Sequence, residues 1–194
     1  MTTLSITIPA YNEEQAIESI ITRCLESRAR LLAETDLDDV EIIVVSDGSV
    51  DRTVERAQPF ADDERIRLVH YTPNRGYGAA LKLGFRESRG ELVSFLDADG
   101  TCDPDHFVHL VNACLRDEAD VACGCRMTPT SKMPPIRRLG NRIFRSLINY
   151  LAQTSIRDSA SGMRVIRRAS LRKIYPLPDG LHFTPAMSCR ASLD

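Results

Sequence analysis

Residues 40–53 read Val40-Glu-Ile-Ile-Val-Val-Ser-Asp-Gly-Ser-Val-Asp-Arg-Thr53. The first six are apolar and mostly β-branched, with one charge among them, and the run stops at Ser46, Asp47 and Gly48. Such a run marks a strand covered on both faces, the kind found in parallel sheets flanked by helices. The neighbouring segments repeat the theme. Leu4-Ser-Ile-Thr-Ile8 alternates with period two and stops at Pro9, and Leu92-Val-Ser-Phe-Leu96 is a second buried strand. Shorter strand signals lie at 66–71 and 121–124. Helical periodicity fills the gaps at 13–32, 51–60, 76–88 and 105–115. In the first of these Ile17, Ile20, Ile21, Cys24 and Leu25 form one stripe, and Asn12 is the expected cap. Strands and helices alternating over short connections predict an α/β fold with a doubly wound, mostly parallel sheet.

After residue 124 the pattern changes. A Pro/Ser/Thr loop at 128–135 leads into a basic amphipathic helix at 136–153. A turn at 158–162, a strand at 163–167, a short helix and a Pro-rich stretch at 176–185 follow. The whole has 194 residues, 43% of them hydrophobic and 27% charged, which suits about one domain and argues against wholesale disorder. Ten Gly and ten Pro exclude collagen-like and low-complexity classes. The net charge of −2 hides a split: residues 1–125 carry 12 Lys+Arg against 24 Asp+Glu, whereas 126–173 carry 12 against Asp158 alone. A basic half of that kind points to an anionic partner. No apolar stretch approaches the ~20 residues of a spanning helix, and the N-terminus does not read as a signal peptide. The six cysteines have no zinc-ligand spacing and read as reduced thiols of a cytoplasmic protein.

In open parallel sheets ligands bind beyond the carboxyl ends of the strands. Three polar clusters sit there: Pro9-Ala-Tyr-Asn-Glu-Glu14, Ser46–Thr53 and Asp97-Ala-Asp-Gly-Thr-Cys-Asp103. Two carboxylates two residues apart on a turn leaving a buried strand offer hard oxygen ligands, suited to Mg²⁺ or Mn²⁺ with a phosphate completing the shell. The same Asp97 and Asp99 could instead only shape a turn that Gly100 relieves. Gly76-Tyr-Gly-Ala-Ala-Leu81 departs from the dinucleotide fingerprint at the third glycine and follows the third strand, so NAD is not expected. The four histidines are scattered; His182, in Leu181-His-Phe-Thr-Pro185, stands in a segment that could reach the mouth of the site.

Four motifs occur in order: Ile8-Pro-Ala-Tyr-Asn-Glu-Glu14, Val44-Val-Ser-Asp-Gly-Ser-Val-Asp-Arg-Thr53, Asn74-Arg-Gly-Tyr-Gly-Ala-Ala-Leu-Lys-Leu-Gly84 and Phe95-Leu-Asp-Ala-Asp-Gly100. Together they resemble the family 2 inverting glycosyltransferases of the GT-A fold. Asp158-Ser-Ala-Ser-Gly-Met-Arg164 further resembles a segment of the dolichyl- or polyprenyl-phosphate sugar transferases. The resemblance implies a nucleotide-sugar-binding α/β half at 1–125 and a basic acceptor-side half of the same domain at 126–194. It implies that Pro9, Tyr11 and Glu13 contact the donor nucleoside, that Asp47 contacts its base or ribose, and that Gly48 shapes that turn. Asn74 would lie beside the donor. Asp97 would lie near the ribose or metal, and Asp99 would hold the divalent ion on the diphosphate. Arg126 and Arg164 would approach phosphates, and Asp158 would lie near sugar and acceptor as a base, an Arg partner or a helix cap.

The implied reaction is metal-dependent transfer of a sugar from a nucleotide-sugar donor to a polyprenyl phosphate, with inversion at the anomeric carbon. A phosphate acceptor is already ionised near neutral pH and needs positioning more than a general base, which suits a segment with twelve bases and one acid. Two other readings stay open: transfer to a saccharide hydroxyl, and a truncated, non-catalytic nucleotide-sugar-binding domain, since relatives usually continue past 181–191. The helix at 136–153 places Arg138, Arg142 and Arg145 on one face. It could pack on its own domain with that face in water, or lie on an anionic membrane surface at the inner face of the membrane. Nucleic acid is not expected as a partner, because the first half is acidic and no aromatics interleave these arginines.

Overall fold

Six strands form one sheet in the order β3-β2-β1-β4-β6-β5. They are β1 (Thr3–Ala10), β2 (Asp39–Asp47), β3 (Ile66–Tyr71), β4 (Leu92–Leu96), β5 (Val121–Cys123) and β6 (Met163–Arg167). The computed structural model describes residues 1–124, Ser146 and 162–191. Strands β1 to β4 pair parallel with one another, as the sequence predicts, while β6 runs antiparallel to both β4 and β5. A strand from the second half of the chain is thus seated between two from the first, and the two halves share one sheet. Order reverses at β1: the chain runs outward through β2 and β3, then returns to place β4 on the other side. That switch point opens a crevice beyond the carboxyl ends of β1 and β4, where Tyr11 and Asp97 emerge.

Burial explains the strand pattern. In β1, Leu4, Ile6 and Ile8 are fully buried, and so are Ser5 and Thr7 between them. Ser5 is tolerated because its hydroxyl donates to Glu41 Oε1 at 2.6 Å and accepts from Gly90 N at 2.8 Å. In β2, Ile42 to Val45 lie at 2% exposure or less, as expected of a strand with helices on both faces.

Helix α1 (Ile17–Glu34) buries Ile17, Ile20, Ile21, Cys24 and Leu31 on that core. It starts later than predicted, and Asn12 does not cap it. Asn12 adopts a left-handed φ of 56°, and its Oδ1 accepts from Val50 N at 2.9 Å. The amides of Asn12, Glu13 and Glu14 donate instead to Ser49 Oγ, Thr53 Oγ1 and Asp51 Oδ2. The loop after β1 is therefore sewn to the loop after β2, and its donors are spent before the helix begins.

Helix α2 (Thr53–Ala57) continues into a 3₁₀ turn, Gln58–Asp62. Helix α3 (Tyr77–Glu87) covers β1 and β2, and α4 (Phe107–Leu115) follows a 3₁₀ turn at Pro104–His106. After β6 come a short α5 (Arg168–Leu171) and α6 (Phe183–Arg190). Helix α6 is pinned by Phe183, fully buried with its ring centroid 6.3 Å from that of Phe85 and 6.4 Å from that of Phe95. Burying a Phe side chain contributes ~1.5–3 kcal/mol, and favourable ring pairs add ~0.5–1.5 kcal/mol. This anchor lays the preceding segment, 176–182, against α3. There Ala79 N donates to Asp179 O at 3.1 Å, Lys82 Nζ donates to Leu177 O at 3.0 Å and Lys82 pairs with Asp179.

Part of the basic charge of the second half is internal. Arg167 Nη2 donates to Cys114 O, and Arg168 clamps Gly90 O, Phe85 O and Ser88 Oγ. The predicted amphipathic helix lies outside the described residues, Ser146 apart. Among the described residues no helix is long and apolar enough to cross a membrane. Among the described cysteines, Cys24 and Cys114 are buried.

Candidate functional site

A cleft of about 400 Å³ opens at the switch point. Pro9, Tyr11, Glu13, Asp47, Asn74, Asp97 and Asp99, all predicted from sequence, line it together. Gly48 stands behind them. Its φ is +68°, and a Cβ there would overlap the backbone of Asn74, so glycine lets the loop after β2 press on the loop after β3. Tyr77, Gly180 and Leu181 also line the cleft. Tyr77 carried no sequence signal beyond its place in a glycine-rich helix start. Residues 180 and 181 arrive through the packing of α6. Tyr11 and Leu181 stand at the mouth, 51% and 83% exposed.

Asp47 ends β2 and is 3% exposed. Its Oδ1 accepts from Arg75 N at 2.7 Å and its Oδ2 from Gly76 N at 2.9 Å, while Asn74 Nδ2 donates to its backbone carbonyl at 2.9 Å. The residue expected to meet base or ribose thus also holds the loop that starts α3. Burial, and then the Asp47 carboxylate, push the Tyr71 phenol well up. Gly76 has φ +101°, and a Cβ on it would sit 2.6 Å from Asp179 O, which seats the 176–182 segment directly on this turn.

Asp97 and Asp99 leave β4 on the other wall. Tyr77 Oη donates to Asp97 Oδ1 at 2.6 Å. Burial, then the Asp97 charge and this bond, raise the Tyr77 phenol far above its ordinary value, so it stays protonated and donates. Asp99 is exposed. Its Oδ1 accepts from Thr101 N at 2.9 Å and Thr101 Oγ1 at 2.8 Å. Arg23 of α1 steadies that loop by donating to Gly100 O at 3.2 Å and Cys102 O at 3.1 Å. The Glu13 carboxyl is raised by burial and then by Asp99, Asp51 and Asp97. Several carboxylates therefore share the cleft and repel one another, a field that a cation would relieve.

Among the described residues no three His, Cys, Asp or Glu side chains cluster as a metal cage. Mg²⁺-type sites on nucleotides commonly need only one or two carboxylates, with phosphates and waters completing the shell. The Asp97/Asp99 pair fits that kind of site, with the ligand completing it. Arg164 is fully buried; its Nη2 donates to Ser188 Oγ of α6 at 2.7 Å, so it lies inside the domain and does not line the cleft. Arg126, Arg138 and Asp158 lie outside the described residues.

Comparison with known proteins agrees with this geometry. Residues 5–175 match the family Glycosyl transferase family 2. A dolichyl-phosphate beta-glucosyltransferase of Drosophila melanogaster is 33% identical over 186 residues, covering 89% of this chain and 56% of that protein. The enzyme of that name from Saccharomyces cerevisiae is 29% identical, covering 89% and 57%. This chain thus spans about half the length of these curated relatives. Glucosyl-3-phosphoglycerate synthase from Mycobacterium tuberculosis, solved with Mn²⁺, uridine-diphosphate-glucose and phosphoglyceric acid, superposes with a TM-score of 0.70 at 25% identity, over 96% of this chain and 63% of that one. The same enzyme with Mn²⁺, uridine diphosphate and glucosyl-3-phosphoglycerate gives 0.69 at 25% identity, over 96% and 63%. The sheet, its switch-point cleft and the matched motifs agree on one conclusion: this chain belongs to glycosyl transferase family 2 and has the α/β GT-A fold.

Proposed function

We propose that the chain transfers a sugar from a nucleotide-sugar donor to a polyprenyl (dolichyl-type) phosphate, with inversion and with Mg²⁺ or Mn²⁺. The observation that carries this reading is the meeting of Asp97 and Asp99 with Pro9, Tyr11, Glu13 and Asp47 in one cleft at the switch point. Tyr11, half-exposed, offers a ring for the base to stack on. Asp97 and Asp99 would hold the ion, which supplies electrostatic stabilisation of the departing nucleoside diphosphate. The acceptor phosphate oxygen attacks the anomeric carbon in line as the bond to the donor diphosphate breaks, with no covalent enzyme intermediate. Asp158, Arg126 and Arg138 are the proposed acceptor-side groups, and Arg164 supports that side from within. The relatives named for dolichyl phosphate favour a lipid acceptor and glucose as the first sugar to test. Leu181, 83% exposed at the mouth of the cleft, suits an isoprenoid chain. We read the segment 136–153, for which the sequence predicts a basic amphipathic helix, as the contact to anionic lipid, holding the chain peripherally on the cytoplasmic side.

A second reading, transfer to a hydroxyl of a small acceptor, draws on the solved enzyme that carries phosphoglyceric acid. Labelled UDP-glucose and GDP-mannose, Mn²⁺ and either polyprenyl phosphate or 3-phosphoglycerate separate the readings. Label entering the organic phase is expected. Label only in a water-soluble product favours the second reading, and donor binding without transfer makes the chain a non-catalytic binding domain.

A further inference from the structure

Two cleft carboxylates, Asp47 at the end of β2 and Asp97 just after β4, are joined through the first turn of α3. Asp47 Oδ2 accepts from Gly76 N at 2.9 Å. The next residue, Tyr77, opens α3 and donates its hydroxyl to Asp97 Oδ1 at 2.6 Å. The Tyr77 ring packs on the apolar cluster of Leu81, Phe95 and Phe183, so the hydroxyl has a fixed origin. On the opposite side of Asp97 lies Gly162, just before β6, where a Cβ would overlap the Asp97 carboxylate. Among the described residues, Asp97 thus has the Tyr77 hydroxyl on one oxygen and the Gly162 backbone against the other, while the side-chain hydrogen bonds of Asp99 are to its own loop.

We propose that Tyr77 is a positioning residue that fixes the Asp97 carboxylate for cation-dependent binding of a nucleoside diphosphate, and that Asp47 places Tyr77 for this task. The inference rests on the reading of this cleft as a nucleotide-diphosphate site. Asp97 can turn about χ1 and χ2, and a carboxylate turned away from the cleft no longer meets an ion held by Asp99. A hydrogen bond of 2.6 Å from a packed ring removes that freedom before the ligand arrives. Glycine at 162 leaves room for this one orientation.

The test compares wild type, Tyr77→Phe and Gly162→Ala in calorimetric titration with UDP and with GDP, each with Mn²⁺ and with EDTA. Electron paramagnetic resonance counts bound Mn²⁺ alongside. The expected result is about a tenfold loss of Mn²⁺-dependent affinity in both variants, with metal-free nucleotide binding changed less than twofold. Tyr77→Phe keeps the packed ring, so a purely structural role would shift the melting temperature and leave the Mn²⁺ dependence as in wild type. That outcome overturns the proposal, as does an equal loss with and without Mn²⁺. If wild type binds neither nucleotide, the reading of the cleft fails first and the proposal falls with it.

Discussion

Replacing Asp47 by Asn tests how the cleft is held together. The side chain is 3% exposed, and its two oxygens accept from Arg75 N and Gly76 N at 2.7 and 2.9 Å. An amide keeps one acceptor and turns an NH₂ toward the other backbone N–H. One hydrogen bond to a charged group is lost, which costs about 1.5–3 kcal/mol, and two donors are forced together. We expect a total loss of about 2–3 kcal/mol, small enough to leave a natural domain of ~5–15 kcal/mol folded. At ~2–4 °C per kcal/mol for a chain of this size, the melting temperature falls by about 4–12 °C. Urea denaturation followed by circular dichroism gives the stability, and amide exchange gives the location. Exchange at Arg75 and Gly76 should accelerate well before that of β4. Wild-type stability with unchanged exchange at those two amides would refute the account of this loop.

Asp99→Asn keeps an Oδ1 for Thr101 and should melt as wild type, while cation-dependent transfer drops by ~10²-fold or more, read by initial rates; full activity removes Asp99 from the ion site. Glu13→Gln probes the crowded carboxylates. Because the Glu13 carboxyl is raised above 4.5, its favourable contribution is complete below that pH and is lost as pH rises through the raised value. In chelator the substitution should therefore raise the melting temperature at pH 7 relative to wild type, and the gain should vanish near pH 4; an equal gain at both contradicts the charge crowding. Reversing Arg138, Arg142 and Arg145 to Glu should weaken sedimentation with anionic vesicles by ~10²-fold or more in low salt, at about 1 kcal/mol per removed charge. Unchanged binding would return the basic face predicted at 136–153 to an ordinary solvated surface.

What could be read in advance was what local pattern encodes. The buried run at 40–45, the alternation at 4–8 and the carboxylate pair after Leu96 were legible because each is confined to a few consecutive residues. The direction of β6 was not, since strand direction depends on a connection of some forty residues rather than on the strand itself. The burial of Arg164 was hidden for a related reason. An arginine in Met163–Arg167 looks solvent-facing until α6 packs against the sheet and Ser188 meets its guanidinium. Helix α6 escaped because Pro185 lies inside Phe183–Arg190, although proline in a first turn removes a donor that has no helical partner. Asn12 looked like a cap and became a tie between loops, a tertiary contact that took over a local preference. Charge counting also could not tell an arginine on the surface from Arg167 and Arg168, whose donors close loops from within. Tyr77 shows the same limit at the site, because its role exists only where α3 meets the end of β4.

We propose that the cleft between β1 and β4 holds a nucleotide sugar, with Asp97 and Asp99 carrying the cation for its diphosphate. The most direct measurement is a crystal structure of this chain with UDP-glucose, or with GDP-mannose if that binds more tightly, in Mn²⁺. On the proposed reading the base would lie beside Tyr11 and Asp47, and Asp97 and Asp99 would hold a divalent ion together with the diphosphate. A nucleotide bound elsewhere, or bound in this cleft with no ion at Asp99, would contradict it.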